Sequence, residues 1–151
     1  TVIITINQPT VAGLLSADTT VCASANNGAL TLSGLTGNIV HWESSINGGT
    51  AWTVITNTSP THTYNNLSAT TLFRVLVQNG ICTSQYSNTV TITINQPTVA
   101  GLLYADATVG ATSSNGPLTL SELTGNIVHW HSSITGDTSW NVIANTNQTQ
   151  Y

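Results

Sequence analysis

The feature that most constrains this chain is a duplication. The run Thr1-Val-Ile-Ile-Thr-Ile-Asn-Gln-Pro-Thr-Val-Ala-Gly-Leu-Leu15 returns as Thr89-Val-Thr-Ile-Thr-Ile-Asn-Gln-Pro-Thr-Val-Ala-Gly-Leu-Leu103, an offset of 89 − 1 = 88. The same offset carries Leu35–Trp42 onto Leu123–Trp130, and Trp52 onto Trp140. Aligned without a gap, residues 1–63 and 89–151 are identical at 44 of 63 positions. Self-similarity at a fixed period marks a repeat architecture, and a period of 88 is too long for one propeller blade of about 40–50 residues.

The phase of the repeat sets the domain boundaries. Thr89–Asn95 continues the strand-like run before it and reads as the last strand of one domain. Thr1, Val2, Ile3, Ile4, Thr5, Ile6 and Asn7 then read as the last strand of a preceding repeat. A complete repeat is expected over 10–95, and a second, partial one over 98–151. The joints, Gln8-Pro9-Thr10 and Gln96-Pro97-Thr98, are short and stiffened by proline, which favours an extended array over loosely tethered beads. Without an initiating Met or a signal-like apolar segment at Thr1, the chain is expected to be a piece of something longer.

Composition narrows the fold. Only six of 151 residues carry a formal charge, Arg74 against Asp18, Glu43, Asp106, Glu122 and Asp137; an ordinary domain carries about 25%. One cation cannot neutralise a row of phosphates, which excludes nucleic-acid binding by counterion release. No apolar run approaches the roughly 18 residues of a membrane helix, so no membrane insertion by this segment is expected. The good helix formers Lys, Glu, Met and Arg are nearly absent, while Thr, Val and Ile abound. With 40% apolar residues, four Trp and a net charge of only −4, the chain escapes the composition of disorder.

Within one period the pattern is all β. Strands are expected near 10–16, 19–24, 29–34, 38–45, 51–56, 61–65, 70–78 and 81–95, at the spacing of a sandwich. Asn79-Gly80 signals a two-residue hairpin, and Asn47-Gly48-Gly49 a second turn between Trp42 and Trp52. Period-2 alternation places Val40 and Trp42 on one face, His41 and Glu43 on the other. The fold class is therefore all-β, a tandem array of immunoglobulin-like sandwiches with an 88-residue period.

A family resemblance rests on Cys22, Ile39-Val-His-Trp42, Ser44-Ser-Ile-Asn-Gly-Gly-Thr-Ala-Trp52, Thr71-Leu-Phe-Arg-Val75 and Asn79-Gly-Ile-Cys82 with Ser87. Together these resemble the immunoglobulin-like repeats found in tandem in large surface proteins exported by the type IX secretion route of Bacteroidota. The resemblance implies a secreted or cell-surface location, often within adhesins or gliding-associated proteins, and no catalysis by the repeats. Departures are clear. Gly80 stands where antibody-type domains have the tyrosine-corner Tyr, and Gly110 replaces Cys22 in the second repeat.

Few residues suggest chemistry. Cys22 and Cys82 are expected to form a disulfide, suited to an oxidising compartment. Closing that loop would be worth about 4 kcal/mol; two buried reduced thiols are the alternative. His129 and His131 share a strand face, but a metal site wants a third protein ligand, and the first repeat has His41 and Glu43 there instead. Asp18, Asp106 and Asp137 are too scattered for a calcium loop. No metal or cofactor is expected. Nucleophile elbow, zincin and phosphate-loop motifs are missing, so no enzyme is expected, and without Lys no Lys–Asn isopeptide bond can form. Trp52 and Trp140 are candidates for stacking on sugar rings; closing the sandwich end is their plainer role.

The resulting expectation is a structural or adhesive repeat of a long extracellular surface protein or filament, a spacer or fibre presenting an adhesive tip. Its partners would be neighbouring repeats of the same chain, with lateral self-association or surface glycans. The alternatives are a self-assembling filament subunit, joined when Thr1–Asn7 adds to a neighbour's sheet, and a carbohydrate-binding module using Trp52 and Trp140.

Overall fold

The computed structural model describes all residues except Thr1, Ala17, Ser24, 105–115, Thr135, Asp137 and Tyr151. The chain divides into two compact units, Thr1–Gln96 and Pro97–Tyr151. The described residues form strands, turns and loops and contain no helix.

The first unit is a two-sheet sandwich. Strands β1 (Leu14–Leu15), β3 (Asn27–Ser33) and β6 (Thr61–Asn65) form one sheet in the order β1-β3-β6. The other runs β2 (Thr19–Cys22), β9 (Val90–Asn95), β7 (Thr71–Gln78), β4 (Asn38–Ser45) and β5 (Thr53–Ile55), with β8 (Gln85–Tyr86) also on β7. The first strand thus crosses from one sheet to the other between β1 and β2, and β2 lies parallel to β9 while its neighbours are antiparallel. This strand order is that of an immunoglobulin-like sandwich.

The core follows from alternation. In β7, Thr71, Phe73, Val75 and Val77 are buried, and the residues between them are not. They meet Trp42, Ile39, Val90 and Ile92 of their own sheet and Leu15, Leu30, Leu32 and Tyr64 of the other. Trp42, Val75, Val77 and Ile92 are sealed at 0% exposure, each contributing on the order of 1.5–3 kcal/mol by leaving water. His62 stacks between Trp42 and Phe73, with ring centroids 5.3 and 5.6 Å away.

Several local expectations change. The ladder between β4 and β7 shifts between Ile39 and His41, a bulge that inserts Val40 as an extra residue. Ile39 therefore shares the inner face with Trp42, and Val40 is 42% exposed. Asn79-Gly80 opens a loop over 79–84 rather than a two-residue turn, because Val77 pairs with Gln85. The run 81–95 breaks into β8 and β9 at Ser87, whose hydroxyl accepts the Val75 amide at 3.0 Å, while Asn88 Oδ1 accepts the Leu15 amide at 2.7 Å. The run 10–16 is likewise interrupted at Gly13, where φ is +78° and a Cβ would meet the Ser33 carbonyl. Residues 2–9 form no strand: Val2, Ile3, Ile4 and Ile6 are 83–90% exposed and lack a ladder partner.

The second unit repeats this geometry, residue for residue where described. Strands β10 (Leu102–Tyr104), β11 (Leu118–Ser121) and β14 (Thr149–Gln150) form one sheet, and β12 (Trp130–Ser132) pairs β13 (Asn141–Ile143). Leu102↔Ser121 copies Leu14↔Ser33, and Trp130↔Ile143 copies Trp42↔Ile55, each shifted by 88. Trp42 donates its indole N–H to the Ser59 carbonyl at 3.0 Å; Trp130 donates to the Asn147 carbonyl at the same distance. Trp130 is only half-buried, where Trp42 is sealed.

Candidate functional site

The densest polar cluster lies on the outer face of the larger sheet of the first unit. Register sets it up: Glu43 on β4 sits opposite Arg74 on β7, and Leu76 of β7 opposite Tyr86 of β8. Arg74 donates from Nε to Glu43 Oε2 at 2.7 Å. Glu43 Oε1 lies 3.2 Å from both His41 Nε2 and the Tyr86 hydroxyl, which donates to it. The guanidinium carbon is 3.9 Å from the ring centroids of Trp52 and of Tyr86, which enclose it from two sides. The one Arg of the sequence is thus paired with a carboxylate and stacked on two rings.

Glu43 is only 6% exposed. Burial pushes its carboxyl pKa up, but the hydrogen bond from Arg74 leads a set of opposing effects, with His41, the Arg74 charge and Tyr86, that leaves it below the ordinary carboxylate value. His62, inside the sandwich, has its pKa lowered by burial. A carboxylate held ionised by a guanidinium acts here as a fastening between strands. Chemically, the cluster locks β4, β7 and β8 together and ties the β4–β5 hairpin down through Trp52.

That hairpin is itself held by side chains. Ser45 Oγ donates to Asn47 Oδ1 at 2.8 Å and accepts the Gly49 amide at 2.9 Å. Asn47 Oδ1 also accepts the Ala51 amide at 2.9 Å. Gly48 and Gly49 supply the positive φ values, +70° and +86°, that the turn needs.

The structure separates the cysteines. Both Cys22 and Cys82 are free thiols, which corrects the disulfide expected between them. Cys22 pairs with Asn95 at one end of the larger sheet. Cys82 follows the far end of β7, where Gln78 donates to its carbonyl at 3.1 Å. Ten strand positions separate those ends, about 33 Å at 3.3 Å per residue, against the 4.4–6.8 Å between Cα atoms that a disulfide spans. The 60-residue spacing matches that of a bridge between two facing strands, but here it joins an edge strand to a distant loop.

Of the two tryptophans singled out, Trp52 is half-buried with one face covered by Arg74; Trp140 is 54% exposed. The His129 and His131 rings lie 4.6 Å apart, and no group of three His, Cys, Asp or Glu able to hold a metal exists among the described residues. Asp18 is a strand clasp: its Oδ1 accepts the Thr91 amide at 2.6 Å, joining the start of β2 to β9. Thr1, Asp106, Gly110 and Asp137 lie outside the described residues. Arg74, Tyr86, His62 and Asn26 escaped the sequence reading. The available signal was a lone Glu and a lone Arg in a charge-poor domain, where isolated opposite charges are expected to seek each other.

The strand order and the sealed core together define an all-β, immunoglobulin-like sandwich domain. The family model described as Domain of unknown function (DUF8696) matches residues 11–96, and the chain belongs to that family. The matched span coincides with the first sandwich from its first bridge to the end of β9. No curated protein and no solved structure matches the chain.

Proposed function

We propose that this chain is a stretch of a tandem array, in which repeated sandwiches act as spacers of a long extracellular surface protein or filament that presents an adhesive tip. The observation that carries the reading is the 88-residue repeat of sequence, matched by the strand register of the two units. A duplicated domain whose Glu43–Arg74 cluster fastens its own strands suits a mechanical part. Two features support it: a short Gln-Pro-Thr joint and a sequence with almost no charge. Neighbouring repeats are its first partners. An antibody raised against residues 10–95 should label intact, unpermeabilised cells that make the protein; labelling only after permeabilisation would refute the extracellular placement.

A second reading, strand donation between separate subunits, is favoured by the exposure of Val2, Ile4 and Ile6 at 90%, 84% and 85%. Their 88-residue counterparts Val90 and Ile92 are 1% and 0% exposed, and Ile94 packs against the core. Deleting residues 1–7 abolishes polymer if this reading holds and leaves the length of the native fibre unchanged if the array is one chain. Sugar binding through Trp52 and Trp140 ranks below both, because Arg74 already covers one face of the half-buried Trp52 ring.

A further inference from the structure

One exchange between the repeats changes the chemistry of a sheet face. His129 stands 88 residues after His41, but His131 stands where the first repeat has Glu43. In the first unit the pair is committed to other groups: His41 Nε2 lies 3.2 Å from Glu43 Oε1, and Glu43 also accepts from Arg74 and Tyr86. In the second unit His129 and His131 are both exposed. Among the described residues their ring nitrogens have no hydrogen-bond or ion-pair partner. The two rings lie 4.6 Å apart, tilted by 51° to each other.

The backbone beneath them is held in place. Trp130, between the two histidines, donates its indole N–H to the Asn147 carbonyl at 3.0 Å and pairs with Ile143 across the β12–β13 ladder. His131 pairs with Val142 in the same ladder, and an apolar residue there brings no charge to compete. Strand alternation keeps residues two apart on one face, so the imidazoles are neighbours by construction and their nitrogens are open to solvent.

We propose that His129 and His131 form a two-imidazole chelate for a divalent transition-metal ion that sets its ligands at right angles, Ni(II) or Cu(II). Imidazole suits zinc, copper and nickel alike, so geometry decides among them. A ring bound through nitrogen at about 2.0 Å has its centroid about 3.2 Å from the metal. Two such rings stand about 4.5 Å apart at a right angle and about 5.2 Å apart at the tetrahedral angle of zinc. The 4.6 Å between these centroids fits the right angle. Ligand number agrees: two imidazoles fall short of the three protein ligands that a zinc site wants. Cu(II) stands highest in the affinity order of the first-row divalent ions and Ni(II) directly precedes it, and either ion can fill its remaining positions with water. The equivalent face of the first repeat is closed to such an ion, because the Arg74 charge already occupies Glu43.

Ni(II) is the probe, since the free thiols of Cys22 and Cys82 would reduce Cu(II). Titration of the 151-residue chain with nickel chloride, followed by isothermal calorimetry at neutral pH, should show one ion bound per chain. His129→Gln and His131→Gln should each weaken binding by about 10²-fold, the loss expected when one of two linked ligands is removed. His41→Gln should leave binding unchanged, and zinc chloride should bind more weakly than nickel. Both replaced histidines are exposed, so each variant should melt at the wild-type temperature, which separates loss of the site from loss of the fold. A wild-type chain that takes up no nickel, uptake that survives either substitution, or uptake lost with His41→Gln overturns the site. Zinc binding tighter than nickel overturns the right-angle assignment.

Discussion

Replacing Glu43 with Gln isolates the polar fastening, because it keeps the shape of the side chain and removes its charge. Glu43→Gln loses the charge-assisted bond from Arg74 Nε at 2.7 Å and leaves a guanidinium stacked between Trp52 and Tyr86 without its counter-charge. Hydrogen bonds to charged groups contribute about 1.5–3 kcal/mol. The Arg74 side chain is 24% exposed against 8% for Glu43, so partial solvent screening places the expected loss near the middle, at about 2 kcal/mol. For a domain of this size that corresponds to a fall in melting temperature of about 8–16 °C.

The pH dependence supplies the sharper test. The folded-state pKa of Glu43 lies below its ordinary value, so its contribution is fully present above that value and is lost as pH falls through the folded pKa. Urea unfolding of the wild-type and Glu43→Gln chains, followed by tryptophan fluorescence, should differ by about 2 kcal/mol at pH 7. The difference should shrink as pH falls from the ordinary carboxylate range toward pH 2.5, as the wild-type carboxyl takes up its proton. Taking the difference cancels the acid sensitivity contributed by His62. An equal difference at both pH values would refute the ion-pair account.

Other perturbations test other links. His62 has a folded pKa lowered by burial, so it stabilises the fold above about pH 6.5 and withdraws that support as pH falls; His62→Phe should flatten the stability curve between pH 6.5 and 5, measured by thermal melts. Asn26 is 5% exposed and its side chain bonds the Cys22 and Leu67 carbonyls and the Leu67 amide; Asn26→Ala should cost about 2–3 kcal/mol by stranding buried backbone groups, read by the urea midpoint. Gly28→Ala should destabilise by about 1–3 kcal/mol, since the added Cβ would stand 2.6 Å from Tyr64 Cζ. Reductant should leave the melting temperature of the 151-residue chain unchanged, because its two thiols are free.

The parts of this fold that were readable in the sequence are those written locally or twice. Strand positions came from alternation, and the domain frame came from 88-residue identity, which the matched bonds of Trp42 and Trp130 repeat in three dimensions. Features that depend on partners far along the chain left no local mark. The parallel pairing of β2 with β9 joins residues 73 apart, and the same residues would alternate identically in an antiparallel edge. The Val40 bulge is a property of the ladder with β7, invisible in Ile39-Val40 alone. The cysteine pairing failed for a similar reason: spacing along the chain says nothing about which end of a sheet a residue occupies. The Glu43–Arg74 fastening spans 31 residues, yet its rarity in so uncharged a chain was a usable sign.

The central claim, an array of repeated sandwiches within one long polypeptide, meets its most direct test in the native material. Electron microscopy should be paired with denaturing mass analysis of the same sample under reducing conditions. The account predicts thin beaded fibres and a single very large polypeptide. Ordered filaments that fall apart into small, discrete chains on denaturation would contradict it and make residues 1–7 the joint between subunits.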